Sequence, residues 1–333
     1  MGTRIAQLIG NKISFKEASA NTHANPHRIH LVTAGNGRSG AERLAQPIPE
    51  IAIKPKFKLD GDGRFFAIGS CFARNIEIAL ARNGVDCITT RLRVPSDCYE
   101  ISGLGARNGM LNAYTPYSMR DIVQLPTRAD ALEAGVLQVG DDEWVDMLVS
   151  GIRPLPRAQL LDIRASVVDL YRDLAQADVV VVTLGYTESW YDNQDQIFVN
   201  RSPGGSSRTL RRGERYSFQN LNAAQVADAL ASIAGHVHAV TGGRAKMIIT
   251  TSPVPLHATF TNRDVICANS YSKATLLSAA VELASNHDWI DYYPSYEMVM
   301  GADRDLAWLE DGVHVKPALI DQVIGRFTQA YLA

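Results

Sequence analysis

A chain of 333 residues, 46% of them hydrophobic and 20% charged, can bury a large core, as one sizeable α/β domain with an insertion or as two smaller ones. A formal net charge of −2 gives no reason to expect nucleic acid or an anionic membrane as principal partner, and no apolar run reaches the roughly 18 residues of a membrane span. The start, Met1-Gly2-Thr3-Arg4, lacks an apolar leader core, and Cys71, Cys87, Cys98 and Cys267 show no ligand-like spacing, so reduced thiols in a cytoplasmic protein are expected.

Residues 1–50 read as a polar, irregular extension, with a short strand at 29–32. The run Gly35-Asn36-Gly37-Arg38-Ser39-Gly40 is a literal G-x-G-x-x-G. A dinucleotide site needs a full helix behind it, and here Pro47 and Pro49 stop the helix near residue 46. A flexible Gly-rich loop is the reading. His23, His27 and His30 could share one helix face, but Pro26 and its Asn and Thr neighbours argue for a solvated tail rather than a metal site.

The main domain, 51–333, opens on a buried strand at 65–68 that stops at Gly69. A helix follows, with Phe72, Ile76 and Leu80 on one side, and Asn83-Gly84 closes it. Ser70-Cys71 therefore falls at a helix N-terminus, where free N–H groups and the helix dipole favour a thiolate or an oxyanion. Residues 87–90 suit a second strand, and a Gly/Asn/Pro-rich loop fills 103–117. A helix from Ser118 to about 125 takes Ser118 as N-cap. Another helix is expected at about 156–175. The run 178–185 is continuously apolar, as in a strand buried on both faces of a parallel sheet.

Residues 191–222 form a polar insertion with arginines at 201, 208, 211, 212 and 215. It reads as a solvated hairpin, or as a lid attracting an anionic sugar or phosphate group. Then come a helix at 223–240, a strand at 246–252, a helix at 270–286, a strand at 289–293 and a closing helix at 317–331. Strands alternating with helices predict a doubly wound α/β fold, whose ligands collect at the carboxyl ends of the strands. Ser70-Cys71, Gly185 to Glu188, Ser252 to His257 and the Asp311/His314 loop all fall at or just after such ends. Gly185, Thr187, Glu188 and His257 are accordingly candidates for substrate binding; for Glu188 the alternative is a buried structural acid paired with an arginine.

Gly69-Ser70-Cys71-Phe72-Ala73 resembles the word after which the GSCFA family is named. So do Thr183-Leu-Gly-Tyr-Thr-Glu-Ser-Trp190, Ser252-Pro-Val-Pro255, Asn269-Ser-Tyr-Ser-Lys273 and Asp311-Gly-Val-His314, and the resemblance covers about 50–330. That family looks like a branch of the SGNH/GDSL hydrolases, which cleave or transfer acyl esters. The resemblance implies a three-layer, flavodoxin-like fold with a mainly parallel sheet and helices on both faces. It puts the nucleophile on Cys71 and matches Asp311 and His314 to the final D-x-x-H. Where the superfamily has Asp before its nucleophile, this chain has Ser70. Gly185-Tyr186-Thr187-Glu188 stands where a central Asn would help hold the oxyanion, and Gly109 or Asn112 would supply part of that donor set.

The chemistry can be stated from the residues. Acyl transfer needs a nucleophile, a base in hydrogen-bond reach, a group to orient that base, and oxyanion donors. Cys71 is the favoured nucleophile and Ser70 its rival, His314 the base, and Asp311 the orienter. The expected activity is that of an SGNH-like esterase or O-acyltransferase acting on an acylated carbohydrate or similar small ester. The alternative is a catalytically silent, SGNH-shaped binding protein in polysaccharide biosynthesis. No cofactor is implied.

Overall fold

The apolar runs that the sequence places at strand positions pair into one all-parallel sheet. In the computed structural model, residues 9–32, 38–101, 109–204, 209 and 211–332 are described. Among them are nine strands, in chain order β1 (Phe65–Gly69), β2 (Val136–Gln138), β3 (Trp144–Asp146), β4 (Val179–Leu184), β5 (Glu188–Asp192), β6 (Ile197–Val199), β7 (Tyr216–Asn220), β8 (Lys246–Thr251) and β9 (Ile290–Tyr292). The helices are α1 (Phe15–Ala24), α2 (Gly40–Leu44), α3 (Cys71–Arg82), α4 (Pro116–Gln124), α5 (Arg157–Arg172), α6 (Ala223–Val240), α7 (Val265–Asn286), α8 (Ser295–Met300), α9 (Arg304–Ala307) and α10 (Pro317–Tyr331).

The parallel sheet runs β1-β4-β8-β9, with Gly69 opposite Thr183 and Thr183 opposite Thr250. Side chains alternate across it. Phe65, Val179, Val181 and Ile248 pack with Phe72, Ile76 and Leu80 of α3 and with Val323 and Phe327 of α10. Phe66, Ile68, Val180, Val182, Met247 and Ile249 pack with α4, α5, α6 and α7 on the other face. Each fully buried Leu, Ile or Phe contributes about 1.5–3 kcal/mol, so two apolar faces commit the sheet to helices on both sides. The fold is α/β, a parallel four-stranded sheet flanked by helices.

Several sequence expectations shift. Residues 29–32 form no strand, and α1 carries His23 because Ser14 and Glu17 close a capping box that starts a helix despite the polar composition. No His/Cys/Asp/Glu cluster able to hold a metal occurs among the described residues. Residues 35–37 of the Gly-rich run lie outside the described residues; Ser39 caps only the five-residue α2. Residues 87–90 are not a strand: Cys87 makes one bridge to Phe65, and Ile88–Arg91 turns into a 3-10 helix. Helix α4 starts earlier than expected, since Pro116 takes its first position and Thr115, not Ser118, is the cap; Ser118 is the reciprocal partner in the box. The β2–β3 hairpin was not foreseen, being built from two three-residue strands around the turn at 140–143.

The insertion is a three-stranded antiparallel sheet in the order β6-β5-β7. Arg208 and residues 103–108 of the 103–117 loop lie outside the described residues. Arg215 is bound to Asp192 and Asp195 and so braces the insertion from within, while Arg201 is bound to Glu100 and the Ile152 carbonyl and so ties the insertion to the main domain.

One packing relation positions the site. Leu59, before the turn that feeds β1, bonds to the Tyr331 carbonyl at the end of α10. Helix α10 is 15 residues, about 22 Å long, and packs beside α3 against the sheet. Its start, and the Asp311/His314 hairpin just before it, therefore lie toward the carboxyl edge where β1 hands over to α3.

Candidate active site

Strand β1 ends on Gly69 with φ +141, a conformation that suits glycine, and a Cβ there would meet the Thr183 carbonyl oxygen at 2.3 Å. The tight approach lets Ser70 N bond to Thr183 O at 3.3 Å and turns the chain at once into α3. Ser70 is the N-cap, and Cys71 is the first helical residue. Ser70 is buried, makes no capping bond, and its Oγ has no partner among the described residues. Cys71 is half-buried. The expectation that its thiolate is favoured needs correction. Burial pushes the thiol up, and the pull of the Phe72 N–H, the Lys273 charge, its own N–H and Arg74 offsets this only in part.

Residues 112–114 run along this turn. Asn112 bridges Gly69, Ala113 N bonds to Gly69 O at 2.9 Å, and the Tyr114 carbonyl accepts from Gly185 N and Tyr186 N. Asn112 Nδ2 donates to the Tyr114 hydroxyl at 3.0 Å, while its buried Oδ1 has no partner. Thr183 Oγ1, across from Gly69, is likewise buried and unpartnered. Three unsatisfied polar atoms from Ser70, Asn112 and Thr183 thus surround one glycine, an uncommon concentration for a packed interior. Gly109 lies just before them, its carbonyl accepting from Ser150 Oγ and from Asn112 N.

The second half of the constellation stands on the hairpin closed by the Trp308–Val315 bridge. Asp311 Oδ1 accepts from the backbone N–H groups of Val313 (2.8 Å) and His314 (2.9 Å), and Oδ2 lies 2.7 Å from His314 Nδ1. Those bonds hold the Asp311 carboxyl down at about 2, the His314 N–H contributing most. In the tautomer whose Nδ1 donates to Asp311, Nε2 is the acceptor, which is the arrangement a general base requires. The imidazole is exposed and makes no hydrogen bond to Cys71.

Past Tyr114 a pocket of about 230 Å³ opens between the parallel sheet and the insertion. Tyr114 stacks on Tyr186 with ring centres 5.5 Å apart, and Trp190 meets Phe260 edge-on at 4.9 Å. Asn200 and the exposed His257 add polar edges. Glu188 is buried in the wall, where it accepts from Thr259 Oγ1 (2.5 Å) and Phe260 N (2.8 Å). Its partners are a loop's donors rather than the arginine that the structural alternative called for.

A family comparison can now be weighed against this geometry. The GSCFA family model matches residues 64–327. The chain belongs to the GSCFA family. No curated protein matches it. The GSCFA word itself is the β1–α3 turn just described.

Other candidates fall differently. Gly185 has both backbone groups committed, its N–H to Tyr114 O and its carbonyl to Lys273 Nζ. Thr187 is fully buried, its N–H held by Ser272 Oγ and its hydroxyl by Asn220. Neither has a backbone N–H to spare for substrate. Sequence reasoning passed over Tyr114, Tyr186 and Lys273. The signal for Lys273 was present: it lies on the stripe of α7 that carries Ala268, Ser272, Leu276, Ala279 and Ala280, where a charge is out of place.

Proposed function

We propose that this chain is an SGNH-like esterase or O-acyltransferase that acts on an acylated carbohydrate or similar small ester through a covalent acyl-enzyme on Cys71. The observation that carries the reading is the Asp311–His314 contact at 2.7 Å, taken together with Cys71 as the first residue of α3. His314 takes the thiol proton, directly or through water, and Asp311 fixes the ring. The Cys71 sulfur attacks the ester carbonyl. Negative charge develops on the carbonyl oxygen, where the N-terminal N–H groups of α3 and the remaining Asn112 N–H are suited to receive it. His314 then returns the proton to the departing alcohol, and water or an acceptor hydroxyl releases the acyl group. The reading does not require Cys71 and His314 to be bonded beforehand, because catalytic hydrogen bonds often tighten only as substrate closes around them. The aromatic pocket beside Tyr114 suits the body of the ester, since flat rings offer stacking to a sugar face or an aryl group.

A second reading is favoured by one specific observation, the upward push on the buried Cys71 thiol. On that reading the protein is a catalytically silent, SGNH-shaped binder in polysaccharide biosynthesis. Incubation with p-nitrophenyl acetate, followed by intact-protein and peptide mass, separates the two. The enzyme gives an acetyl adduct on Cys71 that is absent in His314→Ala. The binder gives neither turnover nor adduct across a panel of esters, and an adduct on Ser70 reassigns the nucleophile.

A further inference from the structure

Lys273 is 1% exposed, deep in α7, and no carboxylate pairs with it among the described residues. Its Nζ donates to Gly185 O at 2.6 Å and Val254 O at 2.7 Å. Those carbonyls follow β4 and β8, so the amine ties together two loops at the carboxyl edge. A neutral amine has two N–H donors and one lone pair, and two carbonyls satisfy both of its donors. An ammonium has a third N–H and a charge, which a buried site tolerates only beside an opposite charge.

The surroundings offer one such group. Thr183 faces Gly69 across the β1–β4 register, and Gly185, which Lys273 holds, comes two residues later. The lysine is thus anchored beside the turn that carries Cys71. Burial pulls Lys273 down to about 7, and only the Cys71 charge works against it; reciprocally, Lys273 pulls the thiol down. The other ionisable groups acting on Cys71 are Arg74 on its own helix, while Tyr114 and Tyr186 face it as phenols that burial pushes up, and so keeps neutral. Asp311 and His314 sit on the exposed hairpin and bond to each other rather than to either partner.

We propose that Lys273 is a positioning residue for the Cys71 thiolate: held by the Gly185 and Val254 carbonyls, its amine takes up the thiol proton in the substrate-free protein, before His314 draws that proton off as the ester enters. Thiol with amine and thiolate with ammonium have the same total charge and the same number of protons. Converting one into the other therefore moves no net charge into the interior, and the sulfur can become nucleophilic without an unpaired buried anion.

The test reads Cys71 directly. Wild type, Lys273→Met and Lys273→Gln are alkylated with iodoacetamide over a pH series. Peptide mass follows residue 71, and the exposed Cys267 serves as internal reference. Loss of the amine is expected to raise the midpoint for Cys71 by about one unit or more, so that it reacts about tenfold more slowly near neutrality while Cys267 keeps its rate. A lysine that only braces two loops would scale the Cys71 rate by one factor at every pH; an unmoved midpoint overturns the proposal. Should both variants fail to fold, Cys71→Asp and Cys71→Asn leave Lys273 in place. The Asp variant is then expected to melt at or above the Asn variant at neutral pH, and a clearly lower melting temperature overturns the proposal. The role rests on Cys71 as nucleophile, yet the titration needs no turnover. A shifted midpoint in a protein that cleaves no ester keeps the Lys273–Cys71 pair and removes the esterase reading, whereas turnover without a shift does the reverse.

Discussion

Cys71 and His314, the two ends of the proposed site, sit in different surroundings. The thiol sits in a turn built from buried backbone, beside a glycine no other residue could replace without strain, with polar atoms of Ser70, Asn112 and Thr183 left unsatisfied. The imidazole stands in solvent on a hairpin whose carboxylate accepts two backbone N–H groups and the ring. The buried half is rigid and electrostatically unfavourable to charge; the exposed half is electrostatically settled and held by little packing. Such a division predicts that damage to the two halves will look different.

The largest effect is expected in the buried half. Gly69→Ala drives a methyl group into the Thr183 carbonyl at 2.3 Å and holds an unfavourable φ, so urea unfolding should show a loss of about 3 kcal/mol. In the exposed half the effect moves from stability to rate. His314→Ala is expected to slow ester turnover by about 10²–10⁴-fold, with unfolding free energy changed by less than about 1 kcal/mol. If His314→Ala instead unfolds the protein while Gly69→Ala does not, the contrast fails.

Asp311→Ala should cost turnover less than His314→Ala does, because the ring remains but loses its orienter. The Asp311 carboxyl is depressed to about 2, so the folded state binds its proton later than the unfolded chain does as pH falls. Its small stabilising contribution is present above about pH 4 and lost as pH drops through about 2. Acid unfolding of Asp311→Ala should therefore differ in slope from wild type only in that window. Phe260→Ala removes a half-exposed pocket wall; KM is expected to rise by a few-fold with kcat and stability nearly unchanged. An equal fall in kcat would place the pocket in the chemistry rather than in substrate holding.

The alternation of the parallel strands and the long helices was legible because burial on a sheet face or helix stripe leaves a period in the sequence. Ala223–Val240 and Pro317–Tyr331 stand where the apolar pattern and the caps put them. Three-residue strands leave too little period to see, so β2 and β3 escaped, and Cys87 made a single bridge where a strand was expected. Within the site, Asp311 and His314 were visible because their contact is local, three residues apart. The Lys273 bonds join residues 88 and 19 positions apart in the chain, and no spacing rule reveals such pairs. The fate of Gly185 and Thr187 was hidden for the same reason: their partners, Tyr114 and Ser272, are supplied by distant segments.

The three-residue splice at 112–114 serves two masters. On one side it hydrogen-bonds the glycine ahead of Cys71; on the other its tyrosine forms the floor of the aromatic pocket. Whatever wedges between Tyr114 and Tyr186 also pushes on the backbone beside the sulfur, so the size of an occupant is transmitted to residue 71 through less than one turn's length of chain.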